Sequence, residues 1–160
     1  MSGLAIKFKT YKISAIDEYV NKNKLGKIIA KYRKVPKFNV SALQGEDFNA
    51  IILTAEIKNN IIGMVRFSKL TGLSPVKYFS SPITFKILTQ GDPAYYINMV
   101  YIDEKHRGKG YGRMLIDKLI SLVDSKIFVL EVDPNNIPAV NLYKKCGFVF
   151  KDKELMIKKE

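Results

Sequence analysis

The feature that most constrains this chain is the stretch Arg107-Gly108-Lys109-Gly110-Tyr111-Gly112, because it separates two segments of different periodicity. Ahead of it, 94–102 is a mostly apolar run rich in aromatic and branched residues, and a buried strand is expected there. From Gly110 to Asp124, the polar residues Arg113, Asp117, Ser121 and Asp124 recur every three or four positions among apolar ones. That spacing predicts a helix with one narrow wet stripe.

Three glycines at alternating positions, placed between a strand and a helix, let the backbone approach a ligand closely. The start of the helix leaves its first N–H groups without intrahelical partners. Such an end binds anions. Lys105, His106, Arg107 and Lys109 crowd the same turn, so a pyrophosphate is expected rather than a lone carboxylate. A dinucleotide loop, G-x-G-x-x-G, is excluded because Arg113 occupies its sixth place. A Walker loop is excluded because Lys109 is followed by Gly110 instead of Ser or Thr. The pattern that fits is R-x-x-G-x-G.

The rest of the chain reads as a single domain over 1–160, long enough to bury roughly 70% of its unfolded surface. Leu4 to Ile13 alternates Leu4, Ile6 and Phe8 with lysines, the pattern of a strand with one wet face. Ser14 with Asp17 forms a capping box. Ile16, Tyr19 and Val20, followed by Ile28, Ile29 and Tyr32, supply the apolar face of one broken helix or two short ones. A loop is expected over 34–47. Strands over 50–57 and 61–70 are joined by Lys58, Asn59 and Asn60, with the Asn pair taking the left-handed turn conformations. The segment 71–93 reads as an added hairpin or long excursion, and the sequence assigns it no role.

After the predicted helix, 127–132 is apolar at both parities except for Glu131, as in a strand covered on both faces. Strand, glycine loop, helix and strand then form a right-handed parallel crossover. Ala139, Leu142, Tyr143 and Cys146 fall at i, i+3, i+4 and i+7, the apolar face of a short helix that Gly147 ends as a left-handed cap. Phe148 to Phe150 and Glu154 to Ile157 form a last hairpin.

Composition narrows the chemistry. One cysteine and one histidine cannot make an internal disulfide or supply four zinc ligands, so no metal is expected. No run of eighteen apolar residues and no signal peptide at Met1 to Thr10 is visible, so a cytoplasmic protein without membrane partners is expected. The formal net charge of +12 invites a nucleic-acid reading. Lysine outnumbers arginine 23 to 4 and is spread over the whole chain, so a lysine-rich solvated surface is preferred, with nucleic acid kept as an alternative partner. The charge also attracts an anionic ligand at long range.

The R-x-x-G-x-G stretch resembles the acetyl-CoA loop of the GNAT superfamily of N-acetyltransferases. About thirty residues on, Asn136 to Ala139 provides N-x-x-A, and Leu142, Tyr143, Gly147 and Phe148 provide L-Y-x-x-x-G-F, as in those enzymes. The likeness is specific over 94–148, and the L-E-V setting of Glu131 resembles the ribosomal-protein alanine N-acetyltransferases. It implies an α/β (mixed α+β) GNAT fold, with a central mixed seven-stranded sheet whose parallel strands 4 and 5 splay apart, flanked by about four helices. It also implies acetyl transfer from acetyl-CoA to a primary amine, by a monomer or homodimer.

Attack of an amine on a thioester builds negative charge on the carbonyl oxygen and then on the departing sulfur. The site therefore needs an amide donor and a proton source. The resemblance assigns the donor to the backbone N–H of Val100 and pairs Ile102 with the pantetheine arm, with Tyr101 between them. It places Arg107, Gly108, Lys109, Gly110, Tyr111 and Gly112 around the diphosphate and Tyr143 in the general-acid position. An unperturbed phenol, with a pKa of about 10, is protonated at neutral pH. Periodicity alone would make Tyr143 a core residue with a satisfied hydroxyl.

Asn136 either binds the pantetheine or caps its helix. Glu131 serves either as general base, with a carboxyl raised by desolvation, or in a structural hydrogen bond. Many GNAT enzymes carry a Glu on the fourth strand, whereas Tyr96 and Asn98 stand here; catalysis without a side-chain base therefore remains open beside the Glu131 assignment. His106 reads as a surface residue, Cys146 as inert core, and Lys144 and Lys145 as solvated. The absence of a Cys/His nucleophile pair favours direct transfer in a ternary complex. The other readings are a CoA-holding or RNA-binding module on the same fold, and an aminoacyl-tRNA acetyltransferase.

Overall fold

The computed structural model describes residues 5–12, 51–70 and 94–160. The elements are β1 (Ile6–Lys12), β2 (Ile51–Ile57), β3 (Asn60–Leu70), β4 (Ala94–Ile102), α1 (Tyr111–Leu122), β5 (Ile127–Glu131), α2 (Ile137–Lys145), β6 (Val149–Phe150) and β7 (Leu155–Lys159). The strands form one seven-stranded sheet in the order β1-β2-β3-β4-β5-β7-β6. Every neighbouring pair is antiparallel except β4 and β5, which the α1 crossover makes parallel. This is the mixed sheet the sequence implies. Two α-helices flank it among the described residues; the further helices expected over 14–32, and the excursion at 71–93, lie outside them.

Period-two alternation sorts the sheet's side chains onto two faces. Leu53, Ala55, Val65, Phe67, Ile97, Phe128 and Leu130 share one core cluster with Leu115, Ile116 and Leu119 of α1 and with Val140 and Tyr143 of α2. Ala94, Ile127, Val129, Leu155 and Ile157 form a second cluster, with Tyr96 against it. Each fully buried Leu, Ile or Phe contributes about 1.5–3 kcal/mol relative to exposure, so these clusters fix the register of the strands.

The β2–β3 hairpin turns on Lys58 and Asn59, with φ of 50° and 63°. Two left-handed residues between paired strands make a type I′ turn. The left-handed pair is therefore Lys58–Asn59, not the Asn59–Asn60 pair expected, because Asn60 already pairs with Ile57. The polar face of α1 is also wider than the predicted stripe. Only Gly112, Leu115, Ile116 and Leu119 are buried, and Met114 and Leu122 are 40% and 47% exposed. In the last hairpin, β7 takes the place beside β5 and pushes the two-residue β6 to the edge.

The feature that opens the sheet lies in β4. Its pairing with β3 steps from Arg66↔Met99 to Phe67↔Ile97, so Asn98 is an extra residue, a β-bulge. Before the bulge, Tyr95 and Ile97 face the helix-side core. After it, Val100 and Ile102 do so, whereas unbroken alternation would have sent Met99 and Tyr101 there. The β4–β5 ladder contains Tyr95↔Phe128, Tyr96↔Val129 and Ile97↔Leu130 and stops at the bulge. Beyond it β4 keeps β3 on one side and, among the described residues, has no strand on the other. Strands 4 and 5 thus splay as the family resemblance implies.

Candidate active site

The splay leaves a row of backbone groups facing a gap, and their directions follow from one hydrogen bond. Asp103 N donates to Ile62 O at 2.8 Å, so the adjoining Ile102↔Gly63 pair is of the kind whose N–H and C=O point away from each other. Alternation along Ile102, Tyr101 and Val100 then turns the N–H and C=O of Val100 and Ile102 toward the gap and those of Tyr101 toward β3. The two residues expected to meet the thioester and its arm are those whose amides face the open edge. Tyr101, only 6% exposed, spends its backbone on the sheet.

Beyond β4, Glu104–His106 make one 3-10 turn, and the chain then swings through Gly108 and Gly110 at φ of 74° and 85°. Both angles lie in the left-handed region, which glycine enters without a steric penalty. A Cβ on either glycine would meet nothing within 4 Å, so the loop borders open space. Gly110 is the N-cap of α1 and offers no side-chain cap; the helix ladder begins with Met114 N donating to Gly110 O at 3.1 Å. The N–H groups of Tyr111, Gly112 and Arg113 therefore have no partner within the helix, and no acidic residue stands in its first turn.

These features fit an anionic ligand such as a diphosphate. Lys105, Arg107 and Lys109 are exposed around the loop and add positive charge. Gly112 has a different task from the other two glycines. Its missing side chain leaves room for Leu142, whose Cδ2 would lie 3.0 Å from an added Cβ, and so lets α1 and α2 approach at the mouth of the loop.

Arg107 is engaged in a way its sequence position does not announce. Its Nε donates to Ile102 O at 2.9 Å, on the open edge of β4, and its guanidinium carbon lies 6.0 Å from the centre of the Tyr101 ring. His106 Nδ1 lies 3.5 Å from Asp103 Oδ2 and its ring packs 6.2 Å from that of Tyr111. It belongs to the turn that shapes the loop.

Tyr143 projects from α2 into the helix-side core, 9% exposed, with its ring edge-on to Phe148 at 6.0 Å. Glu131 ends β5, one residue past the last β4–β5 pair. It is in register with Leu155 and alternates with Ile127 and Val129, which puts it on the sheet face opposite the helices. Tyr143 and Glu131 thus approach the sheet from opposite sides. Partial burial raises the Glu131 carboxyl above the usual carboxylate range, and the negative charge of Glu154 raises it further. Asn136 caps α2, its Oδ1 accepting from Ala139 N at 3.4 Å, and the side chain is exposed. The capping role is therefore filled. Cys146 is buried and its thiol is pushed up to about 11, chiefly by desolvation, so it stays protonated and unreactive.

Sequence reasoning missed two participants. The bulge at Asn98 has no local signature beyond a polar residue in an apolar strand, with Ser68 Oγ donating to its Oδ1 at 3.3 Å. The bond from Arg107 to β4 depends on the loop's path and is invisible in spacing.

Comparison with known proteins agrees with this geometry. The family model described as "Acetyltransferase (GNAT) family" matches residues 21–148. A spermine/spermidine N(1)-acetyltransferase of Bacillus subtilis is 36% identical over 59 residues, covering 34% of this chain and 39% of that protein. A streptothricin acetyltransferase of Escherichia coli is 40% identical over 55 residues, covering 32% of each. The chain thus spans well under two thirds of the length of these curated relatives.

Likeness of fold is broader. A ribosomal-protein-alanine N-acetyltransferase from Brucella melitensis biovar Abortus 2308 superposes with a TM-score of 0.62 at 21% identity, covering 92% of this chain and 95% of that one. Arabidopsis thaliana NAA60, crystallised with acetyl-CoA, superposes with a TM-score of 0.65 at 17% identity, covering 98% of this chain and 100% of that one. The splayed sheet, the glycine loop and the match over most of its length together establish that this chain belongs to the GNAT acetyltransferase family.

Proposed function

We propose that this protein is an N-acetyltransferase that transfers acetyl from acetyl-CoA to a primary amine by direct attack in a ternary complex. The observation that carries the proposal is the open edge of β4, with Val100 and Ile102 turned toward the gap beside the uncapped start of α1. The relatives support the chemistry by their names, since NAA60 is crystallised with acetyl-CoA and the others are acetyltransferases.

In this reading the amides of Gly108–Gly112, with Lys109 nearby, hold the diphosphate, and Ile102 pairs with the arm as an added strand would. Acetyl-CoA supplies a thioester activated toward amines. Val100 N–H stabilises the negative charge that collects on the carbonyl oxygen during attack. Tyr143 gives a proton to the departing sulfur. Glu131, on the opposite face, takes a proton from the incoming ammonium directly or through water; its raised pKa brings its basicity closer to neutral pH. Asn136 adds its amide to the arm while its oxygen caps α2.

The acceptor is a protein N-terminus, a lysine or a small amine, and the protein works in the cytoplasm. The test is release of free thiol from acetyl-CoA across panels of small amines, peptides and aminoacyl-tRNA, run on the wild type and on Tyr143→Phe. An amine-dependent rate that drops about 100-fold or more in the variant, with CoA affinity retained, supports the reading. No amine-dependent release from any panel refutes it, and full turnover by Tyr143→Phe refutes the role of the tyrosine.

A further inference from the structure

The bond between Arg107 and β4 has a consequence beyond attraction of phosphate. Ile102 C=O faces the open edge, where no strand among the described residues pairs with it, and the donor that reaches it is Nε of Arg107 at 2.9 Å. Nε is the guanidinium nitrogen nearest the backbone. It is as many bonds from the Cα as the amide nitrogen of a glutamine, so a neutral side chain could make the same bond. The guanidinium also lies over the Tyr101 ring, 6.0 Å from its centre, while Arg107 N closes the turn on Glu104 O at 3.4 Å. Arg107 thus ties the glycine loop to the last two residues of β4 and to the turn that follows it.

We infer that Arg107 is a positioning residue, which uses its Nε–H to hold the Ile102 peptide on the unpaired edge of β4 and thereby fixes the direction of the Val100 and Ile102 amides in the gap. The physical reason is local. Between Asn98 and Asp103 the strand has, among the described residues, a neighbour on one side only, and an unpaired edge with a bulge behind it is free to twist. A cross-brace from the following turn restores a second anchor. The inference rests on the proposed use of this edge for acetyl-CoA, and it separates two tasks of one arginine, bracing by Nε–H and attraction by charge.

Arg107→Gln removes the charge and keeps a donor at the same bond distance; Arg107→Met keeps the length and removes the donor. Two readouts are taken on wild type and both variants: CoA affinity by calorimetry, and amide hydrogen exchange at Val100–Asp103 in the ligand-free protein. Bracing predicts that Arg107→Met binds CoA about tenfold more weakly and exchanges Asp103 N–H at least about tenfold faster, because the Asp103 bond to Ile62 O lies at the end of the braced segment. Arg107→Gln is expected to remain within about threefold of wild type in exchange, whereas its CoA affinity also registers the lost charge. If Arg107→Gln exchanges as fast as Arg107→Met, or if exchange is unchanged in both, the brace is refuted and the charge is what matters. The exchange comparison needs no ligand, so it decides the brace even if the wild type fails to bind CoA and the proposed function falls.

Discussion

Gly110 and Gly112 should respond to alanine in different ways, and the structure provides the magnitudes. Gly110 stands at φ 85° with nothing within 4 Å of an added Cβ, so Gly110→Ala carries no packing penalty, only the cost of a left-handed L-residue. That cost is about 1–2 kcal/mol. For a domain of this size it lowers Tm by roughly 2–8 °C. Gly112 is helical, and alanine there gains about 1 kcal/mol of helix propensity. Its Cβ would sit 3.0 Å from Leu142 Cδ2, the end of a flexible side chain that can shift by a few tenths of an ångström, so the crowding consumes most of that gain. Gly112→Ala is therefore expected to lie within about 1 kcal/mol of wild type. Urea unfolding with unchanged m-values measures both, and CoA binding by calorimetry adds the functional side: only Gly110→Ala places a methyl at the anion mouth and should weaken binding at least about tenfold. Wild-type stability for Gly110→Ala, with a larger loss for Gly112→Ala, would refute the division of labour between them.

Other expectations follow from single contacts. Glu131 has a folded-state pKa raised above its unfolded value, so its favourable contribution is complete below the unfolded pKa and is lost as pH rises through the folded one. Glu131→Gln should therefore be more stable than wild type at neutral pH, by an amount that vanishes toward pH 4, and pH-dependent denaturation checks this. In activity the same shift should appear as a rate rising with pH through that folded pKa, a limb absent in Glu131→Gln. Lys158 Nζ donates to Cys146 O at 2.8 Å and pairs with Glu160 at 3.2 Å, at the C-terminal end of α2. Lys158→Met should cost about 1–2 kcal/mol in urea unfolding, with acetylation affected less than stability. Cys146 should resist thiol reagents in the folded protein and react fully once unfolded, a comparison that an absorbance assay makes directly.

Much of the site was legible in the sequence because its determinants are local. The glycine loop, α1, β5 and α2 follow from periodicity and from residues that must adopt particular backbone angles, as Gly110 and Gly147 do. Their order also implied the parallel crossover, and the family resemblance implied the splayed pair. The details that aim the chemistry depend on non-local pairing. Nothing in 94–102 states that Asn98 is skipped by β3, yet that skip decides that Val100 and Ile102, not Met99 and Tyr101, turn toward the helix side. The position of β7 between β5 and β6 is likewise a tertiary outcome, and it brings Glu154 close enough to raise Glu131. Lys58 was passed over as a left-handed residue because lysine has no intrinsic preference for that region; the length of the hairpin imposes it. Arg107 was assigned to phosphate by its charge, while the bond it makes here uses its Nε on the end of β4.

The most direct test of the central claim is an amide-resolved NMR titration of the protein with CoA. Saturable shifts concentrated at Gly108 to Gly112 and at Val100 and Ile102 would place the diphosphate at the start of α1 and the arm along β4. Saturable binding whose shifts fall elsewhere and leave these amides unmoved would contradict the account.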